Sequence, residues 1–216
     1  MPKGNLIVYL GYAVGVGKTY GMLEHGKLLR DANQHVVIGY IETHQRKPLV
    51  RMTYLFNQIP LLEIPYQNTS FYEPDVDAII HYEPDYVLID ELAHTNVPGS
   101  LRLKRYLDVQ EILRAGINVI TSLNIQHVQS VAIELETAWK TTLKERITDE
   151  TLHDSFVEHV NPSISTLLNR LKSGEIYSEP TQIAIASQNL FEPQRLKLLR
   201  KLTTQWIKQH KQFLRT

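Results

Sequence analysis

GYAVGVGKTY, residues 11–20, is the stretch on which the reading of this chain turns. It ends Gly17-Lys18-Thr19, as does a phosphate-binding loop, whose usual pattern is G-x-x-x-x-G-K-[ST]. That pattern places its first glycine at position 12, where this chain has Tyr12. Gly11 offers a flexible exit one residue earlier, and the inward-facing amides of such a loop come mainly from its later part. The N–H groups of Gly15, Val16, Gly17 and Lys18 are expected to converge on a β-phosphate, with the positive end of the following helix behind them. Lys18 would reach the β- and γ-phosphates of ATP, and the Thr19 hydroxyl would coordinate Mg²⁺. Gly11 and Tyr20, at the two ends of the stretch, are counted with the nucleotide-binding residues. The competing reading is an ordinary strand–helix turn rich in glycine.

The sequence on either side supplies the context that the motif needs. NLIVYL, 5–10, reads as a strand buried on both faces, and the segment from Lys18 to about Asn33 as a helix. HVVIGYIE (35–42), DYVLIDE (85–91) and INVITS (117–122) are further buried strands, with LLEIPY (61–66) a weaker one. Helices are expected from Pro48 to Asn57, from Pro74 to Tyr82, over 101–115 with Gly116 as its stop, and over 125–135. This rhythm predicts an α/β fold with a mostly parallel sheet of P-loop NTPase type. Beyond about residue 140 the pattern turns polar and helical, near 162–172, 179–190 and 193–212. The expected organisation is a nucleotide-binding core over 1–140 and a C-terminal helical extension over 141–216.

A second motif strengthens the first. A phosphate loop needs a carboxylate at the end of a hydrophobic strand to hold magnesium, and VLIDE supplies Asp90 there. Glu91 follows, where many ATPases of this kind keep the residue that orients water; these two are the candidate catalytic acids. Glu42, Thr43 and His44 follow the second strand, and ligands of open parallel sheets sit beyond such carboxyl ends. They are candidates to sense a γ-phosphate, with Arg46 to compensate its charge; a solvated polar turn is the alternative. Thr121, Ser122 and Asn124 occupy the same edge after the fourth strand, and Thr121 and Asn124 are counted as ligand contacts. His94 and His127 read as structural, since no spacing here suits zinc. DELAH differs from the helicase string DEAH by an inserted leucine, and the chain is short for a two-core helicase.

Composition removes several classes. Lysine plus arginine equal aspartate plus glutamate at 23 each, so no global field draws nucleic acid or anionic lipid. With no cysteine, disulfides, iron–sulfur clusters and thiolate catalysis are excluded. No apolar run is long enough for a membrane span, and the start lacks a signal-peptide pattern, so the cytoplasm is the expected compartment.

Several longer strings carry a family likeness. GYAVGVGKTY (11–20), VVIGYIETH (36–44), LIDELAHTNVPGS (88–100), KRYLDV (104–109), AGINV (115–119), NIQH (124–127) and LKSGEIY (171–177) together cover nearly the whole chain. The chain resembles the N-terminal cytoplasmic (KdpD-type) domain of the osmosensitive potassium-channel sensor histidine kinases. That family also lacks glycine at the place of Tyr12, which marks the loop as a Walker variant. Departures are Val14 for the usual proline, Leu101-Arg102 for a common Arg-His pair, and Tyr106 for a frequent tryptophan; if the missing arginine touches nucleotide or partner, Arg102 or Arg105 would be the candidate to replace it. No H-E-x-[KR]-[ST]-P box for a phosphorylated histidine is present. Met1 favours a stand-alone version over a fragment. The resemblance implies a regulatory Mg-ATP-binding sensor domain of a potassium and osmotic-stress two-component system. Its partners would be ATP and a histidine kinase or response regulator, with no nucleic acid and with homo-oligomerisation left open. The alternatives are a slow ATP hydrolase using Glu91 and a nucleotide-independent adaptor to a histidine kinase.

Overall fold

The computed structural model describes residues 2–213. In chain order the elements are β1 (Leu6–Gly11), α1 (Lys18–Asp31), β2 (Val36–Tyr40), α2 (Lys47–Thr53), β3 (Asn57–Gln58), β4 (Leu62–Tyr66) and β5 (Thr69–Glu73). Then follow α3 (Val76–Tyr82), β6 (Tyr86–Ile89), α4 (Arg105–Arg114), β7 (Asn118–Asn124) and α5 (Gln129–Trp139). The chain closes with β8 (Phe156–Val160), α6 (Ile164–Lys172), α7 (Pro180–Ser187) and α8 (Pro193–Phe213). Short 3-10 turns occupy Ile125–His127 and Asp149–Leu152. The fold is α/β, with a six-stranded sheet in the order β3-β2-β6-β7-β1-β8. The pairs β2–β3, β2–β6 and β6–β7 are parallel, with Val37 opposite Val87 and Val87 opposite Val119.

Packing divides the chain into two compact units. The first comprises Met1–Tyr9 and Thr19–Leu123. Its core joins Met22 and Leu23 of α1 to Val36 and Ile38 of β2, Leu88 of β6 and Ile120 of β7, with Leu49 and Phe56 beside them. Each such side chain contributes about 1.5–3 kcal/mol by leaving water, which is why the β-branched runs set the sheet. Asp75 caps α3 by accepting from the Ala78 N–H at 2.9 Å. Gly116, at φ +90°, stops α4 where the sequence predicts.

The second unit comprises Leu10–Lys18 and Asn124–Thr216. Its long helix, α8, buries Leu196, Leu199, Leu202, Trp206 and Ile207 at helical spacing and packs on α6. Ser163 caps α6 by accepting from the Thr166 N–H at 3.0 Å.

The structure departs from the sequence reading in several places. The helix expected from Pro48 to Asn57 ends at Thr53, with β3 at Asn57–Gln58, and the helix expected over 101–115 begins only at Arg105. LLEIPY is one arm of a separate antiparallel hairpin, β4–β5, whose turn residues Gln67 and Asn68 take φ of +48° and +60°, the left-handed pair of a tight hairpin turn. The polar C-terminal third contains a strand, β8, which the sequence reading leaves out because FVEHV, exposed or half-exposed throughout, lacks the apolar run that marks the others. The helix expected over 125–135 begins as a 3-10 turn and is α-helical only from Gln129. Met1, on which the stand-alone expectation rests, and residues 214–216 of the expected extension lie outside the described residues. Among the described residues no helix is long and apolar enough to cross a membrane.

Candidate functional site

In the second unit, the turn after β1 depends on backbone angles that side chains resist: Gly15 has φ +82° and Gly17 φ +107°. Left-handed residues are one ingredient of the turns known as anion-binding nests, in which successive amides share a side. A Cβ on Gly15 would lie 2.3 Å from Ile176 Cδ1, so the position admits no side chain without movement. Tyr12 is wholly buried, and its hydroxyl donates to the Pro162 carbonyl at 3.1 Å. Burial pushes that phenol's pKa up, against the opposing fields of Arg200 and Arg170. Lys18 is only 8% exposed, and its ammonium donates to the Ala13 carbonyl at 3.1 Å and to Asn124 Oδ1 at 2.6 Å. Arg170 of α6 donates to the carbonyls of Gly15 and Val16 at 3.1 and 3.3 Å.

In the first unit, Asp90 follows β6 and is 2% exposed. Its Oδ2 accepts from the Thr19 hydroxyl at 2.9 Å. Its Oδ1 accepts from the Glu91 N–H at 3.0 Å and from the Ser122 hydroxyl. Glu91 stands at φ +60°, an angle that a glutamate adopts only under local constraint. Although 42% of its side chain meets solvent, the protein crowding its other side raises its pKa, followed by the charge of Asp90; Arg105 and His94 oppose this and Glu42 adds to it. Behind this pair lies Arg105, with no exposed surface. It pairs with Glu73 at 2.7 Å, donates to the Asp90 carbonyl at 3.2 Å, and sets its guanidinium carbon 3.9 Å from the centre of the Tyr40 ring. Burial pushes the Tyr40 phenol up to about 12. Glu73 also accepts from the Val97 N–H at 3.0 Å and faces His94 at 3.4 Å.

The Thr19 hydroxyl and Asp90 carboxylate are hard oxygen donors, a set that suits Mg²⁺, which binds through one or two carboxylates and fills its sphere with water and phosphate. Thr121 is fully buried with its hydroxyl unpartnered, while Ser122 engages Asp90; neighbours on a strand face opposite ways, so only one of the two can do so. Glu42, Thr43 and His44 form a self-bonded turn: Glu42 accepts from the His44 N–H at 2.8 Å, and Thr43 Oγ1 from the Gln45 N–H at 3.3 Å. Tyr20 is 48% exposed, in the first turn of α1. His94 turns to Glu73 and His127 to the Glu145 carbonyl. Arg102 lies 3.5 Å from Asp108, and Arg105 is committed to Glu73. Sequence reasoning did not assign Glu73, Tyr40 or Arg170. Glu73 ends a strand whose other residues, Phe71 and Tyr72 included, are all exposed, so no buried run marks it, and nothing in the spacing of α6 points Arg170 toward residue 15.

Comparison with known proteins supplies the setting. Residues 2–210 match the family KdpD, described as the osmosensitive K⁺ channel His kinase sensor domain. A putative sensor protein KdpD of Synechocystis sp. is 41% identical over 201 residues, which are 93% of this chain and 54% of the relative. The sensor protein KdpD of Clostridium acetobutylicum is 37% identical over 93% of this chain and 22% of its own length. That of Escherichia coli is 34% identical over the same shares, 93% and 22%. The chain therefore spans about half the length of the first and under a quarter of the other two.

Proposed function

The chain belongs to the KdpD family of osmosensitive K⁺ channel His kinase sensor domains, and we propose that it works there as a regulatory domain binding Mg-ATP at a Walker-type loop. The observation that carries this reading is the pair of left-handed glycines, Gly15 and Gly17, leading a buried Lys18 into a 14-residue helix. Such a turn suits the P-loop NTPase type, gathering amides and one ammonium about a polyphosphate tail. On this reading Lys18 gives up its contacts with Ala13 and Asn124 for phosphate oxygens. Thr19 and Asp90 hold Mg²⁺, which when bound neutralises phosphate charge. ATP then orders the loops 42–47 and 91–102. The altered surface is read by a histidine kinase or response regulator of a cytoplasmic potassium-limitation two-component system. A ligand shifts such an equilibrium only by its differential affinity for the two loop states.

A second reading, slow ATP hydrolysis, is favoured by the placement of Glu91 directly after Asp90 at φ +60°, where a carboxylate could orient the attacking water; burial, which raises its pKa, makes it a stronger base than an ordinary carboxylate. Phosphate release separates the two readings, since Glu91→Gln would bind ATP but lose turnover.

The test of binding is a thermal melt with Mg-ATP. At about 100 times the dissociation constant, the ligand adds about 2.7 kcal/mol of stability, or about 5–11 °C in Tm for a chain of this size. Lys18→Ala is expected to lose the rise. No rise in the parent, or an equal rise in the variant, refutes the proposal.

A further inference from the structure

When a loop turns its amides inward to receive phosphate, the carbonyls of the same peptide units face outward, where each needs a partner of its own. Arg170 supplies that partner from the last turn of α6, with one terminal nitrogen donating to both Gly15 and Val16 carbonyls at 3.1 and 3.3 Å. Ile176 closes on Gly15, and Pro162 accepts from Tyr12 at 3.1 Å. All three contacts come from the stretch 162–176, and all lie within the second unit.

We infer that Arg170 is a positioning residue for the phosphate loop. Its guanidinium pins the outward carbonyls of Gly15 and Val16 and keeps the intervening amides turned toward a polyphosphate; the inference rests on the nucleotide reading above. The stretch 162–176 is then part of the loop's machinery rather than an appendage to it. A lysine would keep the charge but not the planar fork, and so would replace arginine only in part.

The experiment compares the parent with Arg170→Ala, Arg170→Lys and Lys18→Ala by Mg-ATP calorimetry and by amide exchange of the ligand-free chain. Arg170→Ala is expected to weaken Mg-ATP about tenfold, on the scale of one charge-assisted hydrogen bond. The amides of residues 15–18 should exchange faster while those of β2 and β6 keep their rates. Methylguanidinium should restore part of the lost affinity, and Arg170→Lys should fall between parent and alanine variant. Affinity and exchange equal to the parent's overturn the inference, as does exchange raised evenly along the chain, the sign of general destabilisation. Should the parent bind no Mg-ATP, the nucleotide reading falls and exchange at 15–18 alone decides: faster supports a positioning role, unchanged refutes it.

Discussion

Glu73→Gln removes one charge from beneath the acidic pair and leaves the fully buried Arg105 without its closest counter-ion, 2.7 Å away. Removing one partner of a buried ion pair costs about 3–5 kcal/mol. Three contacts remain to soften the loss: the Asp90 carbonyl at 3.2 Å, the Tyr40 ring at 3.9 Å and Glu91 at 3.7 Å. Glu91 is too open to solvent to count for much, so the cost should fall near the low end, about 3 kcal/mol. That corresponds to about 6–12 °C in Tm. The pH dependence follows from the Glu73 carboxyl. Burial acts to raise its pKa, but hydrogen bonds from His94, Arg105 and the Val97 N–H, with the charge of Arg105, bring it below the ordinary carboxylate range. A depressed carboxylate stabilises the fold above its unfolded pKa and loses that contribution as pH falls through its folded one. The Glu73→Gln penalty should therefore be full at pH 7 and fade as the solution is acidified through that range. Urea unfolding followed by circular dichroism at several pH values measures it. Adding Arg105→Met should recover about half the loss or more, since deleting both members of a buried pair leaves no stranded charge. A penalty under about 1 kcal/mol, one flat with pH, or a double variant as weak as the sum of the singles would refute the reasoning.

Three other outcomes are expected. Gly15→Ala forces a side chain into a left-handed angle, costing about 1–2 kcal/mol, and against Ile176; melting should fall and Mg-ATP affinity with it, while a companion Ile176→Ala relieves only the clash. Tyr12→Phe loses the hydrogen bond to Pro162, about 0.5–1.5 kcal/mol by urea unfolding, but keeps the buried ring, so Mg-ATP affinity should fall less than in Arg170→Ala. Glu91→Gln should raise Tm at pH 7: a carboxyl with an elevated folded pKa supports the fold while protonated and weakens it as pH rises, so the gain should vanish at acid pH.

The strands that form the centre of the sheet were legible because burial on both faces demands unbroken apolar runs, as in Val87-Leu88-Ile89 and Val119-Ile120. The hairpin β4–β5 and strand β8 were not, for the converse reason. Thr69, Ser70, Phe71 and Tyr72 are all exposed, and β8 is exposed or half-exposed throughout, so neither had to carry the pattern that periodicity detects. Register, not composition, then gives the hairpin its importance, because Leu62 opposite Glu73 brings one carboxylate to the strand's buried end. A single acid at the end of an exposed strand has no signature until its partner, Arg105, is seen to have no exposed surface.

The site divides along the same line. Motif residues announce themselves because their chemistry fixes their spacing: Gly15, Gly17 and Lys18 in one turn, Thr19 bonded to Asp90 at a strand end. Residues that hold the motif in shape are under no such constraint, and Arg170 reaches Gly15 across 155 positions of sequence. Tyr12 belongs to both groups, which is why it is ambiguous in the sequence. As a motif position it is a defect, a ring where the pattern has glycine; as a buried side chain donating to Pro162 it anchors the segment that carries Arg170 and Ile176. A glycine at position 12 would free the turn and also forfeit that anchor. If the loop needs the stretch 162–176 to keep its amides inward, then Tyr12→Gly should loosen residues 15–18 rather than improve them.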